Sequence, residues 1–365
     1  MSVFNNQKAT IDRQMFLDPA GGVGIQRYDI VRYPIILKLA KQMNSFFWLP
    51  EEVDCTKDGK DFRTLLNPHE QSIFTKVIGR AVLLDSVQGR APAQVLGPLA
   101  SVPEIEAAIT TWTAFEQIHS MSYTHIIQGV YPNPTEILDA VMDNQLIVDT
   151  ADEISKYYNN LAEWNRIQGT GDYKANGGVH EHKKALWLCL NAINALEGIR
   201  FYVAFACVWA FAELKKMEGS AKIIKLIARD ENIHLALTQN ILKILPRDDP
   251  DFTRIKIECA QEVEQIFETV ISQEKMFAKD LFQDGSMIGL NHSLFADYLE
   301  WIGHKRMTAI GVQSPFKPRS NPLPWTVKWI SGGQVQVAPQ ETESTMYQQG
   351  VKKDIDEMAL SAFQL

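Results

Sequence analysis

The chain has 365 residues, 45% hydrophobic and 22% charged, the balance of a globular protein with ample core rather than a disordered or fibrous one. Its net charge of -8, from 36 Lys and Arg against 44 Asp and Glu, lacks the basic footprint of a nucleic-acid binder. Cys55, Cys189, Cys207 and Cys259 lie far apart with no CxxC pair, so neither a disulfide framework nor a thiolate metal site is expected.

The opening MSVFNNQKATIDRQ has no apolar segment and does not read as a secretory signal. The first sixty-odd residues read as irregular. Within them DPAGGVGIQRYD is glycine-rich, but no Gly-Lys-Ser/Thr follows, so a loop is expected rather than a phosphate cradle. From Pro68 the text turns helical, with apolar residues of HEQSIFTKVIGRAVLLDSVQG recurring every three or four positions. SVPE at 101–104 opens a second helix through Gln128, with Ser101 as N-cap and Pro103 and Glu104 in the first turn. YPNPTE at 131–136 precedes a third helix reaching about Tyr158.

After NGGVHEH a long helix is expected from about Lys183 to Met217. Its longest apolar run, Phe201 to Ala212, is too short to span a bilayer and reads as buried core, with Cys189, Cys207, Trp187, Trp209 and Phe211 as packing residues. Another helix runs from about Ser220 to Leu245, and two more cover about 252–283 and 292–310. No period-2 strand appears before the C-terminal region, so an all-α bundle is expected. Composition shifts after Gly311: SPFKPRSNPLPW carries four prolines, and a Gly/Gln/Ser/Thr-rich stretch follows. The expected organisation is a helical domain over 1–315 with an irregular N-terminal segment. An extended or flexible tail, 316–365, ends in an apolar cluster suited to folding on a partner.

TAFEQIHSMSYTH places Glu116, His119 and Tyr123 on one helical face. A second E-x-x-H occurs at Glu231 and His234. Asp85 and Glu197 are lone carboxylates inside two further apolar helical segments, where an unpaired charge is costly. Four helices thus supply two lone carboxylates and two E-x-x-H pairs, the ligand set of ferritin-like di-iron and di-manganese carboxylate proteins. Four carboxylates balance two divalent cations, and oxygen with imidazole donors suits iron or manganese. The competing reading makes each carboxylate a core ion pair with an arginine such as Arg200 or Arg229.

LLDSVQGR, TAFEQIHSMSYTHII, NALEGIRFYVAFAC, KLIARDENIHL and DGSMIGLN, with SFFWLPEEVD and RSNPLPW…VQVAPQE, resemble the small (beta) subunit of aerobic class I ribonucleotide reductase, most closely the bacterial class Ia type. The resemblance runs from about Tyr28 to Leu365. It implies a ferritin-like helical fold and two metal ions per chain, most simply iron, with manganese-containing forms compatible with the same donors. It assigns Asp85, Glu116 and His119 to one metal and Glu197, Glu231 and His234 to the other. Tyr123 matches the tyrosine oxidised to a stable radical, and Phe201, Phe205 and Ile227 match the apolar pocket around it. Trp48 and Asp230 match the start of the radical-transfer route, and Tyr347 and Glu341 match its tail section. That tail text, ETESTMYQQG, departs from the usual pattern.

The function so implied is to make, store and deliver a radical that lets a large (alpha) subunit reduce ribonucleotides to deoxyribonucleotides. The chain would be a cytoplasmic homodimer docking through its C-terminal tail, with no nucleic-acid or membrane partner. A stand-alone ferritin-like di-iron oxidase or monooxygenase explains the ligands equally well, but leaves Trp48, Tyr123 and the tail without roles. An iron-storage or structural bundle leaves them unexplained too. His125, His180, His182, His292 and His304 lack a matching carboxylate context and read as structural.

Overall fold

The computed structural model describes residues 5, 6, 12–287 and 289–330. The tail residues 331–365, including Glu341 and Tyr347, lie outside the described residues. Among the described residues fourteen α-helices follow in order: α1 Pro34–Ser45, α2 Thr56–Thr64, α3 Pro68–Gln88, α4 Pro103–Val130, α5 Pro134–Asp139, α6 Gln145–Ile167 and α7 Gly171–Ala175. Then come α8 Gly178–Ala195, α9 Tyr202–Glu213, α10 Glu218–Asp248, α11 Pro250–Glu258, α12 Ala260–Leu281, α13 His292–Ala309 and α14 Val327–Ile330. A π-helical turn, Leu196–Arg200, joins α8 to α9. Among the described residues, β structure is limited to two isolated bridges, Phe16 with Ala100 and Met287 with Leu290.

At the centre, α3, α4, α8–α9 and α10 pack on one another, with α1, α6, α12 and α13 against their outer faces. Local chemistry starts these helices. At α3 the Asn67 side chain accepts from the Glu70 amide at 3.0 Å while Glu70 Oε2 accepts from the Asn67 amide at 3.0 Å, with Pro68 in the first turn. α10 is capped across the chain, because buried Asp58 on α2 accepts from the Gly219 and Ser220 amides. The stretch Gly178–Glu213 is long and apolar enough to cross a membrane, yet its most apolar window is wholly buried inside the bundle. All four cysteines are free and buried.

Several boundaries differ from the sequence expectations. The N-terminal region is not irregular throughout. α1 buries Ile36, Leu39, Ala40 and Met43 at helical spacing, whereas α2 buries Asp58, Gly59 and Asp61 and so shows no apolar stripe. Ser101 is not the N-cap of α4. Val102 holds that position, and the Ser101 hydroxyl accepts from the Asp18 amide at 3.0 Å. The third helix is broken at Asn144, whose side chain caps α6 through the Leu146 and Ile147 amides. The long helix starts earlier, at Gly178, is interrupted by the π-turn and ends at Glu213. α10 continues through Pro246 to Asp248, and Cys259 separates α11 from α12.

Candidate metal centre

The four central helices bring their polar residues to one buried point. Asp85 comes from the last turn of α3, Glu116, His119 and Tyr123 from α4, Glu197 from the π-turn, and Asp230, Glu231 and His234 from α10. Asp85, Glu116, His119, Tyr123, Glu197, Glu231 and His234 have no solvent exposure. Glu116, His119, Glu231 and His234 each offer a ligand atom within 4.8 Å of the other three. His119 Nδ1 lies 3.6 Å from Glu116 Oε2 and 3.2 Å from Glu231 Oε1. His234 Nδ1 lies 2.9 Å from Glu116 Oε1, 3.4 Å from Glu231 Oε2 and 3.9 Å from Glu197 Oε2, which joins Glu197 to the group.

The fit to metal can be tested on polar atoms left over. Buried polar groups are almost always hydrogen-bonded. Here both oxygens of Asp85 and of Glu231, Glu116 Oε2, Glu197 Oε2, His119 Nδ1 and both nitrogens of His234 have no hydrogen-bond partner. These are oxygen and imidazole donors converging from four elements, the donor set for iron or manganese. Electrostatics agree. Burial, followed by the charges of Glu116 and Glu231, pushes the Asp85 carboxyl well up. Burial, then Glu231 and Glu116, does the same to Glu197. Burial opposes charging of His234, but the nearby carboxylates of Glu116, first, and Glu231 carry it to about 9. His119 is likewise carried well up, against burial, by Asp230, Glu116 and Glu231. Without cations the cluster takes up protons to offset its own charge, and metal binding to such ligands displaces protons.

The arginines do not neutralise these carboxylates. Arg229 pairs with Asp230 at 3.0 Å and Arg200 approaches Glu274 at 3.7 Å. Asp230 instead links two groups: it accepts from Trp48 Nε1 at 2.7 Å, and its same oxygen lies 3.3 Å from His119 Nε2. That contact assigns the Nε2 proton and leaves Nδ1 as the donor facing the cluster. Trp48, in the loop between α1 and α2, is fully buried although Phe47 and Leu49 beside it are exposed.

Tyr123 stands one turn after His119, and its hydroxyl has no hydrogen-bond partner. Burial, then the charges of Asp85 and Glu231, raise its pKa well above the usual value. Phe201 and Phe205 stack at 5.7 Å in the same core as Tyr123, with Ile227 also fully buried. Two neighbours escaped the sequence reading. Trp112 donates through Nε1 to Glu116 Oε1 at 2.8 Å, and Gln88 donates through Nε2 to Glu197 Oε1. Helical spacing could have found both: Trp112 is one turn before Glu116, and Gln88 three residues after Asp85. Three of the five histidines set aside have ordinary partners, His125 at Val53 O (2.8 Å), His180 at Glu258 (3.1 Å) and His182 at Asn165 (2.8 Å), whereas His304 Nδ1 is buried without one.

A helical bundle whose central elements converge four carboxylates and two histidines defines a ferritin-like protein with a buried metal-binding centre suited to two ions. The family model described as "Ribonucleotide reductase, small chain" matches residues 27–322, and the chain belongs to that family. It is 47% identical over 355 residues to the ribonucleoside-diphosphate reductase subunit beta of Buchnera aphidicola subsp. Baizongia pistaciae, covering 94% of each chain. It is 46% identical over 355 residues to ribonucleoside-diphosphate reductase 1 subunit beta of Escherichia coli O157:H7, again covering 94% of each. Among solved structures, the ribonucleotide reductase R2 subunit from Clostridium botulinum superposes with a TM-score of 0.77 at 23% identity, covering 90% of this chain and 98% of that one.

Proposed function

We propose that this chain is the radical-generating small subunit of a cytoplasmic ribonucleoside-diphosphate reductase. The observation that carries the reading is Tyr123, a buried tyrosine without a hydrogen-bond partner one turn after His119 of the buried Glu116, His119, Glu231 and His234 group, in a chain 46% identical to a ribonucleoside-diphosphate reductase subunit beta. Asp85, Glu116 and His119 would hold one metal ion and Glu197, Glu231 and His234 the other. Iron is the metal proposed, and manganese shares its donor preferences. When bound, the metal pair supplies the power to oxidise a tyrosine at the expense of oxygen.

The chain's own residues do the rest. Tyr123 gives up one electron and its phenolic proton, and Asp85 is the carboxylate whose charge acts most strongly on that hydroxyl. Phe201, Phe205 and Ile227 present no polar hydrogen, so the oxidised ring meets neither water nor a proton donor there. Trp48, Asp230 and His119 form the hydrogen-bonded exit from the centre. From there Glu341 and Tyr347 in the tail 316–365 would carry the radical to the large subunit, on which the tail docks. A homodimer is proposed for the assembled subunit.

Apoprotein reconstituted with Fe(II) and oxygen should show a tyrosyl radical by EPR, and Tyr123→Phe should abolish it. An unchanged signal in that variant, or none in the wild type, overturns the assignment.

A further inference from the structure

Glu197 occupies a π-turn, where the regular helical ladder lapses, yet its carboxylate is held from one side. Gln88 closes α3 and is fully buried. Its Nε2 donates to Glu197 Oε1, while its Oε1 accepts from the Tyr158 hydroxyl on α6. A carboxamide has a donor end and an acceptor end. Turned round, Gln88 would set its oxygen against the Glu197 carboxylate, and Tyr158 would lose the acceptor for its O–H. Both contacts are satisfied together in one orientation only. Glu197 Oε2, the oxygen Gln88 does not touch, has no hydrogen-bond partner and faces His234 Nδ1 at 3.9 Å.

We propose that Gln88, locked by Tyr158, is a positioning residue that occupies one oxygen of Glu197 and presents the other to the metal. The inference rests on the metal-centre reading above and adds two residues to it. Neither Gln88 nor Tyr158 touches a metal in this account. They act through Glu197, as the outer partners of metal-binding carboxylates do.

The test is an anaerobic titration of the apoprotein with Mn2+, with free ion followed by its EPR spectrum. The wild type should bind two ions per chain. Gln88→Ala should weaken the affected site about 10–100-fold. Tyr158→Phe removes one oxygen and keeps the ring packing, so it folds as the wild type does. One neutral hydrogen bond lost through Gln88 predicts binding about 3–10-fold weaker. Because Tyr158 acts only through Gln88, the double variant should bind no more weakly than Gln88→Ala alone. Independent packing roles would instead multiply the two losses. Wild-type affinity in Tyr158→Phe, or multiplied losses in the double variant, overturns the proposal while the metal centre stands. A wild type that binds no Mn2+ brings down both.

Discussion

Tyr123 and Tyr158 are both buried beside the carboxylate cluster, and their partners differ. Tyr158 donates to a neutral amide oxygen, whereas Tyr123 has no hydrogen-bond partner and feels the charge of Asp85. Removing an electron from a phenol near neutral pH sheds its proton. A carboxylate can take that proton and an amide cannot. In Tyr123→Phe the EPR signal should therefore disappear rather than move to Tyr158. A replacement tyrosyl signal that Tyr158→Phe then removes would contradict the argument. Away from the centre, burial holds His182 down to about 4, against about 6.5 for an unfolded histidine. Between those values the unfolded chain binds a proton that the folded chain refuses, so stability rises with pH from about 4 to about 6.5. The group contributes a slope of at most about 1.4 kcal/mol per pH unit. Urea unfolding of wild type and His182→Asn at several pH values isolates it. The difference between the two should narrow as pH falls through that window, and a difference independent of pH contradicts it.

Helices announce themselves in sequence when they bury an apolar stripe, and the elements here divide on that point. α3 read clearly from apolar residues recurring every three or four positions and α4 from its proline-led start at 101–104, and α4 carried Glu116, His119 and Tyr123 with it. α2 could not be read, since what it buries is Asp58, Gly59 and Asp61, a polar cap for α10 and a close approach to α4. The π-turn was hidden for the opposite reason. Every residue from Ala185 to Ala212 is buried, so the pattern has no polar face against which one extra residue would register. The candidate ligands Asp85 and Glu197 were legible as carboxylates in apolar text, but Gln88 and Trp112 are residue types at home in any core.

Gly59 shows how such an element is tested. In a helix, Gly→Ala gains about 1 kcal/mol of propensity. A Cβ there would lie 2.5 Å from the Gly129 carbonyl oxygen on α4, backbone that cannot rotate away. Overpacking of this kind costs about 1–3 kcal/mol or more, so crowding wins. Gly59→Ala should show a lower urea midpoint at unchanged m, and a higher midpoint would mean that α2 does not approach α4 this closely.

Across the whole molecule, the bundle spends its most buried volume on groups that other proteins keep in water. Six potential ligands without solvent exposure, each with at least one orphaned atom, sit where four helices meet, with Trp112 against Glu116 and His234. Burial and mutual repulsion push Asp85 and Glu197 toward the protonated form and the neighbouring carboxylates favour charged histidines, yet donors and acceptors stay unmatched. Metal should therefore act as a structural component of the fold as well as a reagent. At one hundred times the dissociation constant each ion adds about 2.7 kcal/mol, so two add about 5 kcal/mol. With an unfolding entropy near 2.1 cal/mol/K per residue, that corresponds to a rise of about 5–8 °C in Tm for a chain of this length. Thermal melts under nitrogen, with Mn2+ and after chelation, measure it. Tyr123→Phe should keep the full rise because it leaves every ligand in place, whereas Glu231→Gln, which removes a carboxylate close to both histidines, should lose most of it. Equal melting with and without metal would mean that the cluster is held by its own protons alone.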